Sequence, residues 1–228
     1  MIEIKNISKS YTNKEEVTTI FNNASLVIKR GQKIAIIGPS GSGKSTLLSI
    51  VAGLDRPTTG SVLYDNVDIH NMPEKELSRF RNEKVGIIFQ AFELVQFFTD
   101  YENVMLPLSI RSRSQSIKNK NSIVDSLFES TNLSHRKNSL PATLSGGEQQ
   151  RVAIARVLAS GCDVIFADEP TGNLDSINGK KILDLLLSSV EIGRKTLILI
   201  THDMNIAKQM DVIYEIKDGH LKIASEVL

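Results

Sequence analysis

The chain has 228 residues, enough for one large domain or a domain carrying an inserted subdomain, and its 41% hydrophobic content suffices for a packed core. Its 27 Lys and Arg against 26 Asp and Glu exclude the global positive field that draws proteins to nucleic acid, so no nucleic-acid partner is expected beyond what a local patch could bind. A lone cysteine, Cys162, excludes an internal disulfide and reads as a small buried filler; the N-terminal MIEIKNISKSY lacks a signal-peptide core, no apolar run reaches the ~20 residues that span a bilayer, and a cytoplasmic location is expected.

The first element alternates apolar and polar residues at Ile2-Glu3-Ile4-Lys5 and again around Leu26-Val27-Ile28, with Asn22-Asn23 as turn material, which predicts antiparallel strands. The run Ile34-Ala35-Ile36-Ile37 then reads as a buried strand leading into GPSGSGKST, that is Gly38, Pro39, Ser40, Gly41, Ser42, Gly43, Lys44, Ser45 and Thr46. Glycines at this spacing let successive backbone N–H groups curl around phosphates. Lys44 adds a mobile cation for the β- and γ-phosphates, the Ser45 hydroxyl is a Mg²⁺ ligand, and Thr46 begins a helix, Thr46 to Val51, whose positive end faces the anion. ATP or GTP is the expected ligand.

Further along, Val62-Leu63-Tyr64 and Val67-Asp68-Ile69 flank Asp65-Asn66 as a two-residue hairpin, and Val85 to Phe89 supplies another buried strand. Arg111 to Ser122, RSRSQSIKNKNS, is basic without interleaved aromatics; it is read as a solvated loop or frayed helix end, the alternative being a patch that binds nucleic acid or anionic lipid. Val164 to Ala167 and Thr196 to Ile200 resemble parallel core strands, and between them Ile182, Leu185, Leu186 and Val190 recur at helical spacing within Asn178 to Val190. The tail closes with Val212 to Ile216 and Leu221 to Ile223 around the turn Asp218-Gly219. His70, His135 and His220 lie in polar turns and are read as solvent-facing.

Chemistry returns at Asp168 and Glu169, which follow a buried strand and so stand at the edge where ligands of open α/β sheets collect. The aspartate suits Mg²⁺, usually through water, and the adjacent glutamate can deprotonate the water that attacks the γ-phosphate. Leu144-Ser145-Gly146-Gly147-Glu148-Gln149-Gln150-Arg151 places a Ser-Gly-Gly turn before the helix-like run Val152 to Leu158, a second helix N-terminus offering bare N–H groups; Ser145 and Glu148 also satisfy a capping box.

LSGGEQQR, standing after GPSGSGKST and before DEP, resembles the signature of ABC ATPases, and the resemblance covers essentially the whole chain, residues 1–228. It implies an α/β P-loop NTPase fold of the ABC ATPase type: a RecA-like core, an antiparallel β-subdomain, and a helical subdomain inserted at about residues 91–160. By the same resemblance Tyr11 stacks on adenine, and ATP over GTP rests on that ring and the family alone. Gln90 senses Mg²⁺ and water, and Leu144 through Glu148 form the signature. Asp168 and Glu169 are the metal and base acids, Asn173-Leu174-Asp175 the D-loop, and His202 the switch histidine. Gln90, Asp168 and Ser45 are thus the expected Mg²⁺ residues.

The family implies that two copies close head to tail, with Ser145, Gly146 and Gly147 of one meeting the γ-phosphate bound by the other, and that integral membrane permease subunits are the partners. The chain would then lie peripherally on the inner face of the membrane. DEPTGNLD with Phe89-Gln90 and Tyr101-Glu102-Asn103-Val104 looks like the subfamily for lipoprotein release, macrolide or antimicrobial-peptide export and cell-division signalling. Where that family often has a proline after the glutamine, this chain has Leu94-Val95-Gln96-Phe97-Phe98; with Phe92 these form either a partner groove or a subdomain core. Export or extraction of lipoproteins, peptides or other amphiphiles is expected, with non-transporting mechanotransmission, or a soluble ATPase acting on nucleic acid or ribosomes, as alternatives.

Overall fold

The computed structural model describes residues 1–13, 16–111 and 117–226. In chain order the first elements are β1 (Ile2–Asn13), β2 (Glu16–Ile28), β3 (Lys33–Ile37), α1 (Lys44–Val51), β4 (Thr59–Tyr64), β5 (Val67–Asp68) and α2 (Glu74–Lys84). There follow β6 (Val85–Ile88), α3 (Asp100–Arg111), α4 (Ile117–Ser130) and α5 (Gly146–Ala159). The last are β7 (Val164–Asp168), α6 (Ser176–Ile192), β8 (Thr196–Ile200), α7 (Met204–Ala207), β9 (Val212–Lys217) and β10 (His220–Glu226). The chain divides into two compact units, Met1–Arg81 with Thr196–Leu228, and Asn82–Lys195.

In the first unit an antiparallel sheet has the order β2-β1-β4-β5. A second set of strands centres on β3, which pairs in parallel with β8 on one side and β9 on the other. Ile34, Ala35 and Ile36 are at most 2% exposed, and all five residues of β8 are buried, so the apolar runs lack alternation because both faces are covered. The two tight hairpins form as expected: Asp65 and Asn66 have φ of 48° and 69°, and Asp218 and Gly219 have 50° and 73°, the left-handed pairs that a twisted hairpin requires.

Two expectations fail here. Asn22-Asn23 is no turn between strands; both residues lie inside β2, where the register slips between Ile7 facing Ala24 and Lys9 facing Phe21. Their polar groups mend the irregularity: Ser8 Oγ donates to Asn22 Oδ1 at 2.9 Å and accepts from the Asn23 N–H at 3.0 Å. His70 is half-buried rather than solvent-facing, with Nε2 3.0 Å from the Ile50 carbonyl at the end of α1, and burial holds its pKa below the usual range.

In the second unit β6 and β7 run parallel, Val85 facing Val164 and Ile88 facing Ala167. Gly86 is required there, because a Cβ would run into the Val157 side chain and the Cys162 sulfur, which is fully buried as its filler role demands. Helices α3, α4 and α5 enclose a core of Val104, Leu108, Val124, Phe128, Val152 and Ala155. Of the basic stretch 111–122, residues 112–116 lie outside the described residues, and 117–122 form the first turns of α4. In α6, Ile182, Leu186 and Val190 face inward as their spacing predicts.

Candidate nucleotide site

The parallel register of the first unit builds the phosphate loop. β3 ends at Ile37 and the chain turns through Gly38, Gly41 and Gly43, whose φ values of 152°, 75° and 93° favour glycine. Added carbons would strike the Ile216 carbonyl at Gly38 and the Ile20 side chain at Gly43. At Gly41 nothing lies within 4 Å, so that side of the loop is open. Helix α1 begins at Lys44 with no side-chain cap on its N-terminus, leaving N–H groups for an anion. The buried Ser42 Oγ has no hydrogen-bond partner among the described residues, and Lys44 donates to the loop's own carbonyls, Gly38 at 3.0 Å and Pro39 at 2.8 Å. These features fit a polyphosphate.

Since Ile36 faces Ile200, β3 and β8 finish at the same edge, and the Thr201 N–H donates to the Ile36 carbonyl at 3.3 Å. His202 therefore leaves the edge from which the phosphate loop springs, and it is exposed. Tyr11, 48% exposed on β1, completes the expected residues of this unit.

The second unit repeats the device. With Ile88 facing Ala167, Gln90 follows β6, and Asp168 and Glu169 end and follow β7, at one edge. Glu169 has φ of 46°, a left-handed conformation unusual outside glycine, and its carbonyl accepts the Gly172 N–H at 3.0 Å. Asn173 joins this turn to the glutamine: its amide donates to the Gln90 carbonyl at 2.8 Å. Asp175 is the N-cap of α6, accepting from the N–H groups of Asn178 at 3.0 Å and Ile177 at 3.1 Å. Those bonds, Asn178's first, hold its carboxyl below the usual range.

The Ser-Gly-Gly turn forms the capping box read from it. Ser145 caps α5 in a full capping box: its N–H and Oγ donate to Glu148 Oε2 at 2.9 and 2.8 Å, while Oγ accepts the Glu148 N–H at 3.4 Å. Ser145 is nonetheless exposed, and Gly146 and Gly147 open the helix beside it. Sequence reading missed the support behind this cap. Arg136 Nε donates to Glu148 Oε1 at 2.8 Å. Burial opposes ionisation of Glu148, yet the Ser145 N–H, the Arg136 guanidinium and the Ser145 hydroxyl outweigh it and bring its pKa to about 2. Asp100, fully buried at the start of α3, has both carboxylate oxygens unpartnered among the described residues; burial and then the Glu148 charge push its pKa up to about 6.

The segment after Gln90 divides between the two readings of its apolar residues. Leu94 is in the helical core with Phe92 against it, whereas Phe97 is 79% exposed and stacks edge-on with Phe98 at 5.2 Å. Asn103 braces this segment, accepting the Val95 N–H at 2.8 Å and donating to the carbonyls of Val95, Thr99 and Phe98. Thr99 and Glu102 form a second capping box at the start of α3.

A family model described as ABC transporter matches residues 21–172. The chain is 43% identical over 223 residues to the lipoprotein-releasing system ATP-binding protein LolD of Treponema denticola, covering 97% of each. Among solved structures, the dimeric post-hydrolysis state of the ATP-binding cassette MJ0796 bound to ADP and Pi, from Methanocaldococcus jannaschii, matches with a TM-score of 0.91 and 40% identity over 100% of both chains. The cbiO1 protein of Clostridium perfringens, part of the ABC transporter complex cbiONQ, matches with a TM-score of 0.84 and 29% identity, covering 97% of this chain and 86% of that one.

Proposed function

Since this chain belongs to the ABC transporter family, as an ATP-binding subunit with the P-loop ABC ATPase fold, we propose that its ATP cycle drives a membrane permease that extracts or exports lipoproteins, peptides or other amphiphiles. The observation that carries the ATP half of this reading is the phosphate loop, built of left-handed glycines, with a buried Ser42 hydroxyl lacking a partner among the described residues and an uncapped helix end. The lipoprotein half is supported by the likeness to LolD.

The roles follow residue by residue. Gly38 through Thr46 take the triphosphate, and Tyr11 takes the adenine. Glu169 is the general base, and His202 keeps the γ-phosphate and the attacking water in register. Mg²⁺ would be held by Ser45, Asp168 and Gln90, an oxygen donor set that suits a hard cation. Bound Mg²⁺ would neutralise charge on the β- and γ-oxygens.

Two copies close head to tail, so that the exposed Ser145 with Gly146 and Gly147 meets the γ-phosphate held by the other copy, and Asp175 lies at that interface. The dimeric MJ0796 cassette supports this arrangement. Residues of about 91–160 act as an inserted helical subdomain, and the exposed Phe97 beside Phe98 is a docking point for the permease. Among the described residues no helix is long and apolar enough to cross a membrane. The likeness to LolD supports a place for the chain at the inner face of the membrane, through its permease.

The test is Glu169→Gln in the complex with its native membrane subunit. It is expected to bind ATP, to hydrolyse it at least a hundredfold more slowly and to stop lipoprotein release; hydrolysis at the unmodified rate would remove Glu169 as the base. Copurification with ribosomes or nucleic acid in place of a membrane protein would overturn the transport reading.

A further inference from the structure

Tyr11 follows Lys9 by two residues on β1, so both side chains leave the same face of the strand. Lys9 is only 8% exposed, and its ammonium is held on several sides. It lies 4.7 Å from the centroid of the Tyr11 ring, 2.8 Å from the Arg56 carbonyl, and 2.9 and 2.8 Å from the two carboxylate oxygens of Asp55. The Tyr11 hydroxyl donates to Asp55 Oδ2 at 3.2 Å. Ring, ammonium and carboxylate thus form a closed triangle.

Asp55 is itself indexed to the phosphate loop. The N–H groups of Leu54 and Asp55 donate to the Ser49 carbonyl at 2.8 and 3.2 Å, and Ser49 belongs to α1, the helix that begins at Lys44. The Arg56 N–H closes on Asp55 Oδ1 at 2.7 Å. Two further bonds stitch the same loop to β1: Thr58 N–H to the Ser8 carbonyl at 2.8 Å and Ser10 N–H to Thr58 Oγ1 at 3.0 Å. Burial opposes ionisation of Asp55, but Lys9 and the Arg56 N–H outweigh it, and the carboxyl sits below its usual range.

We infer that Lys9 and Asp55 are positioning residues for a base-stacking platform, fixing the Tyr11 ring between the Lys9 ammonium on one face and the base of the bound nucleotide on the other. The inference rests on the reading of Tyr11 as the adenine-stacking ring. A cation over one face of an aromatic ring is attracted to its π-cloud and draws electron density toward itself, which favours stacking of an electron-rich base on the opposite face. The carboxylate removes the ring's remaining freedom by holding its hydroxyl. Because α1 carries the phosphate loop at one end and anchors Asp55 near the other, the platform and the loop are held at a fixed spacing.

The experiment measures dissociation constants of the full chain for ATP and for inorganic tripolyphosphate, which has no base to stack, alongside steady-state ATPase kinetics. Tyr11→Ala should weaken ATP about tenfold and leave tripolyphosphate within about twofold, as expected for one lost base–aromatic stack. Asp55→Asn and Lys9→Met should each weaken ATP roughly three- to tenfold with the same selectivity, raising KM while kcat holds. Lys9→Arg should recover most of the affinity. The double variant Tyr11→Ala/Asp55→Asn should be no weaker than Tyr11→Ala. Tyr11→Phe, which removes only the hydroxyl, supplies a milder second probe and should cost about two- to threefold.

If Tyr11→Ala weakens ATP while Asp55→Asn, Lys9→Met and Tyr11→Phe leave it unchanged, the positioning role is overturned and the stacking role stands. Equal weakening of tripolyphosphate by Asp55→Asn would overturn it too, since the residue would then act on the phosphate loop. Unchanged ATP affinity in Tyr11→Ala would remove the stacking role and the inference with it.

Discussion

Asn173 and Gln90 grip each other: the Asn173 amide donates to the Gln90 main-chain carbonyl at 2.8 Å, and the Gln90 amide donates back to Asn173 Oδ1 at 3.4 Å. The first bond is short and the second long, so the main-chain tie dominates. It fastens the segment that leads from Gln90 toward Phe97 to the turn that contains the Glu169 carbonyl and the Gly172 N–H. Asn173→Asp is nearly isosteric but cannot donate, and it sets a carboxylate against a carbonyl. We expect kcat for ATP to fall several-fold with the ATP dissociation constant within about twofold, measured by coupled ATPase assay and nucleotide titration. An equal loss in Kd would show that the tie serves binding instead.

Gly43 is the N-cap of α1 at φ 93°, with the Ile20 side chain where a Cβ would go. Gly43→Ala combines a backbone conformation costing about 1–3 kcal/mol with a clash against a neighbouring strand. The variant should melt several degrees lower and lose ATP binding. Lys44→Ala should lose phosphate affinity while melting within about two degrees of the parent, because among the described residues that side chain bonds the exposed and half-buried carbonyls of its own loop.

Glu148 ties its stability contribution to acid. Its folded pKa of about 2 lies below that of an ordinary glutamate, about 4.3, so its contribution is fully present above the ordinary value and is lost as pH falls toward about 2. Glu148→Gln keeps an acceptor for the Ser145 N–H but loses the charge that pairs with Arg136. Urea unfolding should show about 1–3 kcal/mol lost at neutral pH and a shallower decline between pH 4 and 2.

Asp100 has the opposite sign. Its folded pKa of about 6 lies above the ordinary value of about 3.9, so the stabilising form is the protonated one, complete below the ordinary value and lost as pH rises through about 6. Asp100→Asn should match the parent near pH 4 and exceed it at pH 7 to 8 by about 1–3 kcal/mol, the scale of an unsatisfied buried polar group. A parent more stable than the variant at pH 8 would show that the carboxylate finds a partner.

Most of the sheet framework could be read directly, because buried parallel strands leave continuous apolar runs and left-handed hairpins demand Asn, Asp and Gly, as at Asp65-Asn66 and Asp218-Gly219. The same turn chemistry misled at Asn22-Asn23, since a strand irregularity selects the residues that a turn selects. His70 was misplaced because polar neighbours in sequence say nothing about a carbonyl twenty residues earlier. The phosphate loop and the Ser145 cap were legible as local motifs, with their partners a few residues away. Arg136 and the Lys9–Asp55 pair were not, because each acts through contacts distant in sequence, and Asp100 was not, because its burial is set by the fold; the i, i+2 spacing of Lys9 and Tyr11 on one strand face was the available signal.

Lys44 rests on the carbonyls of Gly38 and Pro39. Its ammonium is thus held by two neutral acceptors. An arriving polyphosphate would exchange these two carbonyl contacts for anionic oxygens. Nucleotide capture would then be a ligand substitution at the Lys44 ammonium, which trades neutral acceptors for charged ones, so its net gain is the difference between the two kinds of hydrogen bond.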